Sequence, residues 1–202
     1  MTRPFVSGLI LGAGGSTRLG QPKQLLPFRG TTLLGWVIGE AEGAAALDEV
    51  VVVLGRAAEE IRSRVAFDRA TVVENPIFGE GCSSSYRAGI GALDPRAEAV
   101  MVLLGDQPRV DRAIIERVAE AWRRDGGRIV LALYRGKRGH PMLFTRDLFD
   151  TLVGLQGDKA AWKILDAHPE WVREVPLDRP LPADVDTWAD YEAARTGAEE
   201  DR

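Results

Sequence analysis

Five short, near-continuous apolar runs set the tightest limit on how this chain can fold: Val6–Leu11, Val50–Leu54, Thr71–Val73, Ala99–Leu104 and Ile129–Leu133. A half-exposed strand alternates apolar with polar residues, whereas runs without alternation suit parallel strands covered on both faces. Segments with helical spacing lie between them. Thr31 or Thr32 caps a run carrying Leu33, Leu34, Val37 and Ile38; Ala57–Val65 and Ser83–Ala92 follow; Asp111 caps a helix through Trp122; Asp158 caps one holding Ala161, Trp162, Ile164 and Leu165. Strands alternating with helices predict βαβ units and a three-layer α/β/α architecture around a mostly parallel central sheet. The proline-rich stretch 176–184 predicts a loop leading into a last helix, and the polar residues 196–202 a frayed tail beyond one domain of residues 1–195.

Composition narrows function by exclusion. With 202 residues, 45% of them hydrophobic, the chain suits one domain with a real core. Its net charge is −4, with acids and bases interspersed, which speaks against bulk nucleic-acid binding. A single cysteine, Cys82, and two histidines, His140 and His168, leave no disulfide framework or thiolate cluster and argue against a zinc enzyme. The apolar run after Arg3 is too short for a signal peptide and passes straight into a glycine loop. No stretch approaches the ~20 apolar residues of a membrane span. The expectation is a cytoplasmic protein with neither membrane nor nucleic acid as partner.

In open sheets of this kind, ligands sit at the carboxyl ends of the strands. The chain's unusual chemistry falls just after its apolar runs. After the first comes "GAGGSTRLGQPKQ" (12–24), which has the glycine spacing of a phosphate loop but brings its lysine two residues late, and which has Thr17 where a dinucleotide fingerprint needs a third glycine. The glycines at 12, 14, 15 and 20 let backbone amides approach a ligand, and Arg18 and Lys23 can neutralise phosphate charge. The alternative is an ordinary strand–helix turn with two solvated bases.

After the fourth run comes "GDQP" (105–108), where Asp106 suits Mg²⁺ ligation or plain turn chemistry. In "DVDTWADY" (184–191), Asp186 either joins Asp106 around one metal or, like Asp184, caps the last helix. The serines of "GEGCSSS" (79–85) either bind a base, ribose or anion at a helix start or serve as an N-cap. His140, in "RGHP" (138–141), is expected in an exposed loop, there to hydrogen-bond a substrate or fill a turn; His168 is expected to close a helix.

Taken together, "LGAGGSTRLGQPKQLLPFRG" (11–30), "NPIFGEGCSSS" (75–85), "LLGDQP" (103–108), "GHPMLF" (139–144), "GDKAAWKIL" (157–165) and "DVDTWADY" resemble the MobA-like nucleotidyltransferases, in family order and across nearly the whole chain. The Gly-Asp-Gln-Pro and Gly-His-Pro stretches favour the molybdenum cofactor cytidylyltransferase branch. The resemblance implies a Rossmann-like nucleotidyltransferase fold. It implies Mg²⁺-dependent transfer of CMP from CTP to the pterin cofactor, with release of pyrophosphate and transient contact with a molybdoenzyme or its maturation chaperone. By the same resemblance Leu11, Gly12, Ala13 and Gly14 line the nucleotide, with Gly12 to Gly14 against the base. Arg18 and Lys23 hold the triphosphate, Ser84 and Ser85 the nucleoside, Asp106 and Asp186 the metal, and His140 lies near the acceptor. Two positions depart from the family pattern: Gly12 stands where it has alanine, and Trp188 where it has proline. Other readings are transfer to a sugar phosphate, polyol phosphate or phospholactate, a non-catalytic cofactor carrier, and a Rossmann oxidoreductase, which the missing third glycine disfavours.

Overall fold

The computed structural model describes residues 3–14, 16, 18–157 and 160–197. The elements run β1 (Val6–Gly12), β2 (Pro27–Phe28), β3 (Thr31–Thr32), α1 (Leu33–Gly43), β4 (Glu49–Leu54), α2 (Ala58–Arg64), β5 (Thr71–Glu74), α3 (Cys82–Ile90), β6 (Ala99–Leu104), α4 (Arg112–Asp125), β7 (Ile129–Tyr134), β8 (Lys137–Thr145), α5 (Phe149–Gly154), α6 (Ala160–Ala167), β9 (Val172–Leu177) and α7 (Trp188–Thr196). All five expected strands are present within one residue of their expected ends, with the expected helices between them. Thr32 and Asp111 cap α1 and α4, their side chains accepting from Gly35 N and Ile114 N. Gly15 of the expected glycine cradle, Asp158 as the cap of α6 and residues 198–202 of the expected tail lie outside the described residues.

The described strands form a seven-stranded sheet in the order β5-β4-β1-β6-β8-β7-β9, and β2 pairs with β3 in a separate small hairpin. All neighbours in the large sheet are parallel except β8, which runs antiparallel to both β6 and β7. The order steps outward from β1 through β4 to β5, then returns to β6 on the other side of β1. That reversal opens the crevice where ligands bind in open α/β sheets, and it leaves the loops after β1 and β6 side by side, with Gly105 N donating to Leu11 O at 3.0 Å.

Two departures from expectation follow from strand chemistry. "RGHP" is not an exposed loop: it lies within β8, and His140 is buried. The stretch from 176 begins inside β9, whose Val-Arg-Glu-Val-Pro-Leu alternates exposed and buried positions and pairs on one side only. An edge strand tolerates Pro176 because its missing N–H faces no partner.

Sheet residues alternate between two cores. Ile10, Val52, Met101 and Leu143 face α1, α2 and α4, while Leu9, Val53, Val102 and Phe144 face α3, α5 and α6. A third cluster of Leu19, Leu26, Phe28, Leu33, Val185, Tyr191 and Ala194 docks α7 against the β2–β3 hairpin. The approach of α3 to the sheet depends on Gly89, where an added Cβ would lie 2.3 Å from Leu9 Cδ1 and 3.0 Å from Val53 Cγ2. Gly89→Ala is therefore expected to destabilise the protein by about 1–3 kcal/mol through overpacking, read as a lower urea midpoint with unchanged m-value.

Candidate active site

The loop after β1 is shaped by a side chain rather than by its glycines alone. Gln24, buried beneath it, donates from Nε2 to Gly12 O at 2.7 Å and to Gly14 O at 3.1 Å. Ser16 Oγ accepts from Lys23 N at 3.0 Å, and Ser16 O accepts from Leu19 N at 3.2 Å. These bonds curl the segment so that Lys23 returns to the end of β1. Leu19, buried in the third cluster, pins the loop's far side next to Arg18.

Lys23 is 7% exposed, and its Nζ donates to Asp106 Oδ2 at 2.5 Å and to Asp186 Oδ1 at 2.8 Å. Arg18 adds a bond to Asp186 Oδ2 at 2.7 Å. Burial alone would lower the lysine's pKa, but the Asp106 carboxylate, joined by Asp186, outweighs it and raises the value above the usual 10.5. Burial raises the pKa of Asp106 above its usual value, with Asp184 and Asp186 adding to the rise and the Lys23 ammonium opposing it. Asp186 is more open, and its hydrogen bond from Lys23 holds its pKa below the usual carboxylate value. The ammonium is thus the counter-ion of both acids.

Asp186 is free for this role because it does not cap α7. Thr187 is the cap, accepting from Asp190 N, while Asp190 accepts in return from Thr187 N. Asp184 accepts from Gln107 Nε2 at 2.7 Å, and Val185 N donates to Asp106 O at 3.0 Å. The segment 184–186 is thereby laced to the loop after β6.

A cavity of about 310 Å³ opens beside the lysine, within the size range of small-molecule sites. Leu11, Gly12, Ala13, Gly14, Lys23, Ser85 and Asp106 all line it, so seven of the residues expected from sequence converge on one space. Ser84 stands behind that wall: its Oγ donates to Gly81 O at 2.8 Å, and Asn75 Nδ2 donates to both Ser84 Oγ and Ser85 Oγ. Arg18 reaches the cluster through Asp186. The missing side chain of Gly12 would point away from the cavity, toward Val53 O, Leu54 and Leu34, so glycine here thins the core under the loop rather than reshaping the cavity wall. Trp188 takes the first position of α7, where proline is also favoured, and packs edge-on to Tyr191 at 5.9 Å.

His140 is not brought to this cavity. It projects toward α6, edge-on to Trp162 with ring centroids 6.4 Å apart, and its Nε2 has no hydrogen-bond partner among the described residues. Burial pushes its pKa down to about 4. His168 directly follows α6, its N–H donating to Ile164 O at 2.9 Å, and stacks on Trp171. Sequence reasoning passed over Gln24, Asn75 and Gln107. The first carried a readable signal, being a polar residue beside Leu25 and Leu26 at a position that has to be buried.

The family model described as "MobA-like NTP transferase domain" matches residues 8–172. The chain is 34% identical over 194 residues to "Nicotine blue oxidoreductase" of Paenarthrobacter nicotinovorans, covering 91% of this chain and 93% of that one. It is 30% identical over 139 residues to "Molybdenum cofactor cytidylyltransferase" of Escherichia coli (strain K12), covering 68% and 69%. The crystal structure of Rv0371c from Mycobacterium tuberculosis H37Rv superposes with a TM-score of 0.88 at 38% identity, covering 96% of this chain and all of that one. That protein has also been solved in complex with manganese.

Two outcomes test the electrostatics. Lys23→Met, which leaves the buried Asp106 without its cation and Asp186 with Arg18 alone, is expected to cost about 3 kcal/mol in urea unfolding at neutral pH. Adding Asp106→Asn should recover part of that loss. For His140 the folded pKa lies below the unfolded 6.5, so the unfolded state binds the extra proton between about pH 4 and 6.5. Its contribution is complete above that window and is lost as pH falls through it, by up to about 3 kcal/mol. His140→Gln should flatten the wild-type fall in stability across the same window.

Proposed function

Because this chain belongs to the MobA-like NTP transferase family, we propose that it is a Mg²⁺-dependent nucleotidyltransferase moving CMP from CTP to the pterin-dithiolene form of the molybdenum cofactor, with release of pyrophosphate. The observation that carries the reading is the single ammonium of Lys23 held by both Asp106 and Asp186 at the wall of the glycine-loop cavity.

The acidic pair fits a divalent cation. Its two carboxylates already converge on one cationic atom. Among the described residues no group of three His, Cys, Asp or Glu side chains is placed to hold a metal alone. Mg²⁺ commonly takes one or two carboxylates and fills its remaining positions with substrate phosphates and water. Asp106 and Asp186 would be those carboxylates, and Mg²⁺ would supply charge neutralisation on the phosphates. The manganese complex of Rv0371c supports a divalent cation in this family.

Lys23 and Arg18, the cations that hold the acidic pair, would neutralise the triphosphate. Gly12, Ala13 and Gly14 present backbone to the base, while Ser85, backed by Ser84, holds the nucleoside. An oxygen of the acceptor phosphate forms the new bond to the α-phosphorus. The bond from that phosphorus to the bridging oxygen breaks, and pyrophosphate leaves with the electron pair. The acceptor is already an anion at neutral pH, so the step needs no protein nucleophile and no general base. What remains for the protein is positioning and charge. His140, buried against Trp162 and outside the cavity, is uncharged across the physiological range and takes no part in this step.

A second reading is favoured by the nicotine blue oxidoreductase relative, whose match covers more of this chain than that of the cytidylyltransferase. It predicts reduction of nicotine blue by a supplied reductant, with no requirement for CTP or Mg²⁺.

With CTP, Mg²⁺ and the cofactor, the wild-type chain should release pyrophosphate, and Asp106→Ala should lower kcat by at least ~100-fold. Metal-dependent turnover separates this reading from a carrier that binds stoichiometrically, and a matrix of nucleotides against phosphorylated acceptors separates it from sugar, polyol or phospholactate transfer. A wild-type chain that releases none with any of the four nucleotides and this cofactor refutes the assignment.

A further inference from the structure

A second cavity, of about 610 Å³, opens at the same sheet edge on the α1–α4 side. Four arginines line it, Arg29, Arg109, Arg135 and Arg179, against one carboxylate, Asp111. That gathers four guanidinium groups at one place in a chain of net charge −4.

The backbone beneath two of these arginines is the telling feature. The β2–β3 hairpin turns through Arg29-Gly30, with φ of 46° and 84°, and the β7–β8 hairpin through Arg135-Gly136, with φ of 44° and 85°. Two-residue turns with both central residues at positive φ are the tight hairpin type in which Asn-Gly or Asp-Gly is the cheap choice. Arginine there carries a left-handed backbone that its Cβ makes unfavourable. The same unfavourable choice occurs at both turns, and both side chains line one cavity. Local stability does not explain the coincidence, whereas a requirement for guanidinium at that place does.

The guanidinium groups of these two turns are available to a ligand. Arg29 makes no ion pair among the described residues and lies over the Trp36 ring, 4.8 Å from its centroid. Trp36 is itself fixed by donation from Nε1 to Pro108 O at 3.1 Å. Arg135 pairs at 3.1 Å with Asp178, whose side chain is 95% exposed, and so exposed a pair is readily exchanged for another anion. Arg179 pairs with Asp111 on the cavity wall. Arginine forks, rather than lysines, suit recognition of extended anions through several directed bonds.

The cavity is tied to the acidic pair by two short segments. Pro108 and Arg109 line it two and three residues after Asp106, and Pro182 lines it four residues before Asp186. Three residues span at most about 10 Å. The near wall of the cavity, at Arg109, therefore lies within about 10 Å of Asp106 along the chain.

We propose that the arginine cavity binds an anionic, non-reacting group of the phosphorylated acceptor; for the pterin cofactor this is the dithiolene. The inference rests on nucleotidyl transfer as the activity, and its test separates the two. The double variant Arg29→Asn/Arg135→Asn removes both charges and installs residues that suit a left-handed backbone, so its thermal midpoint should equal or exceed that of wild type. In the transfer assay it should raise the acceptor KM at least tenfold, while kcat and the CTP KM stay within twofold. An acceptor KM within twofold of wild type overturns the proposal, as does a raised KM accompanied by a lower thermal midpoint. Should the wild-type chain give no transfer, calorimetric titration with the purified cofactor decides. Binding by wild type that weakens at least tenfold in the double variant upholds the cavity while the transfer reading falls. Equal binding, or none by wild type, overturns the cavity assignment.

Discussion

One ammonium group organises the functional end of this molecule. Lys23 Nζ is shared by Asp106 and Asp186, and its three participants come from the loop after β1, the loop after β6 and the segment before α7. None of the three is stable in this arrangement alone. Without the lysine, Asp106 is a carboxylate that burial makes costly to ionise; without the acids, Lys23 is a buried cation. Their mutual neutralisation fixes where the loops lie, and the glycine-loop cavity opens beside it. The same arrangement stores a reserve of charge. Any ligand pair that brings its own cation and its own anion can exchange partners with it without stranding a charge in the interior.

The packing around this pair shows how it is kept in register. Leu19 and Val185 belong to one small apolar cluster and are the sequence neighbours of Arg18 and Asp186. Tyr191 of α7 reinforces it by donating to Pro27 O at 2.6 Å. The charged residues are thus carried on buried apolar neighbours, which hold the loop and the last helix together by a non-directional force. Gln24 supplies the directional part by closing the loop over its own backbone.

Much of this was legible in the sequence, and the illegible part has identifiable causes. The parallel strands were readable because burial on both faces leaves unbroken apolar runs. The convergence of Leu11 to Gly14, Lys23, Ser85 and Asp106 could be foreseen because they end or follow strands that finish on one edge. Asp186 could be grouped with Asp106 as a candidate ligand, but its meeting with Lys23 has no signature in the spacing, since partners 163 residues apart leave no local pattern. β8 escaped because Gly139 and Pro141 read as turn residues, whereas here they sit in a strand with a register shift opposite Leu131 and Ala132. The burial of His140 escaped for the same reason. β9 escaped because an edge strand alternates and tolerates proline. The arginine cavity left no trace in local sequence, because its walls come from two hairpin turns, α1, the loop after β6, the start of α4 and the loop after β9.

The placement of Asp186 also has a consequence for the order in which the protein comes into being. A chain emerging from the ribosome displays the glycine loop and Lys23 first, Asp106 much later, and the segment carrying Asp186 only when nearly all of the sheet has been made. Until α7 docks on the β2–β3 hairpin, Lys23 has one acid instead of two and Arg18 lacks the carboxylate it pairs with, although every strand of the nucleotide crevice is already in place. Completion of the site thus coincides with completion of the fold, and a nascent chain lacks the paired carboxylates even when it already possesses the cavity.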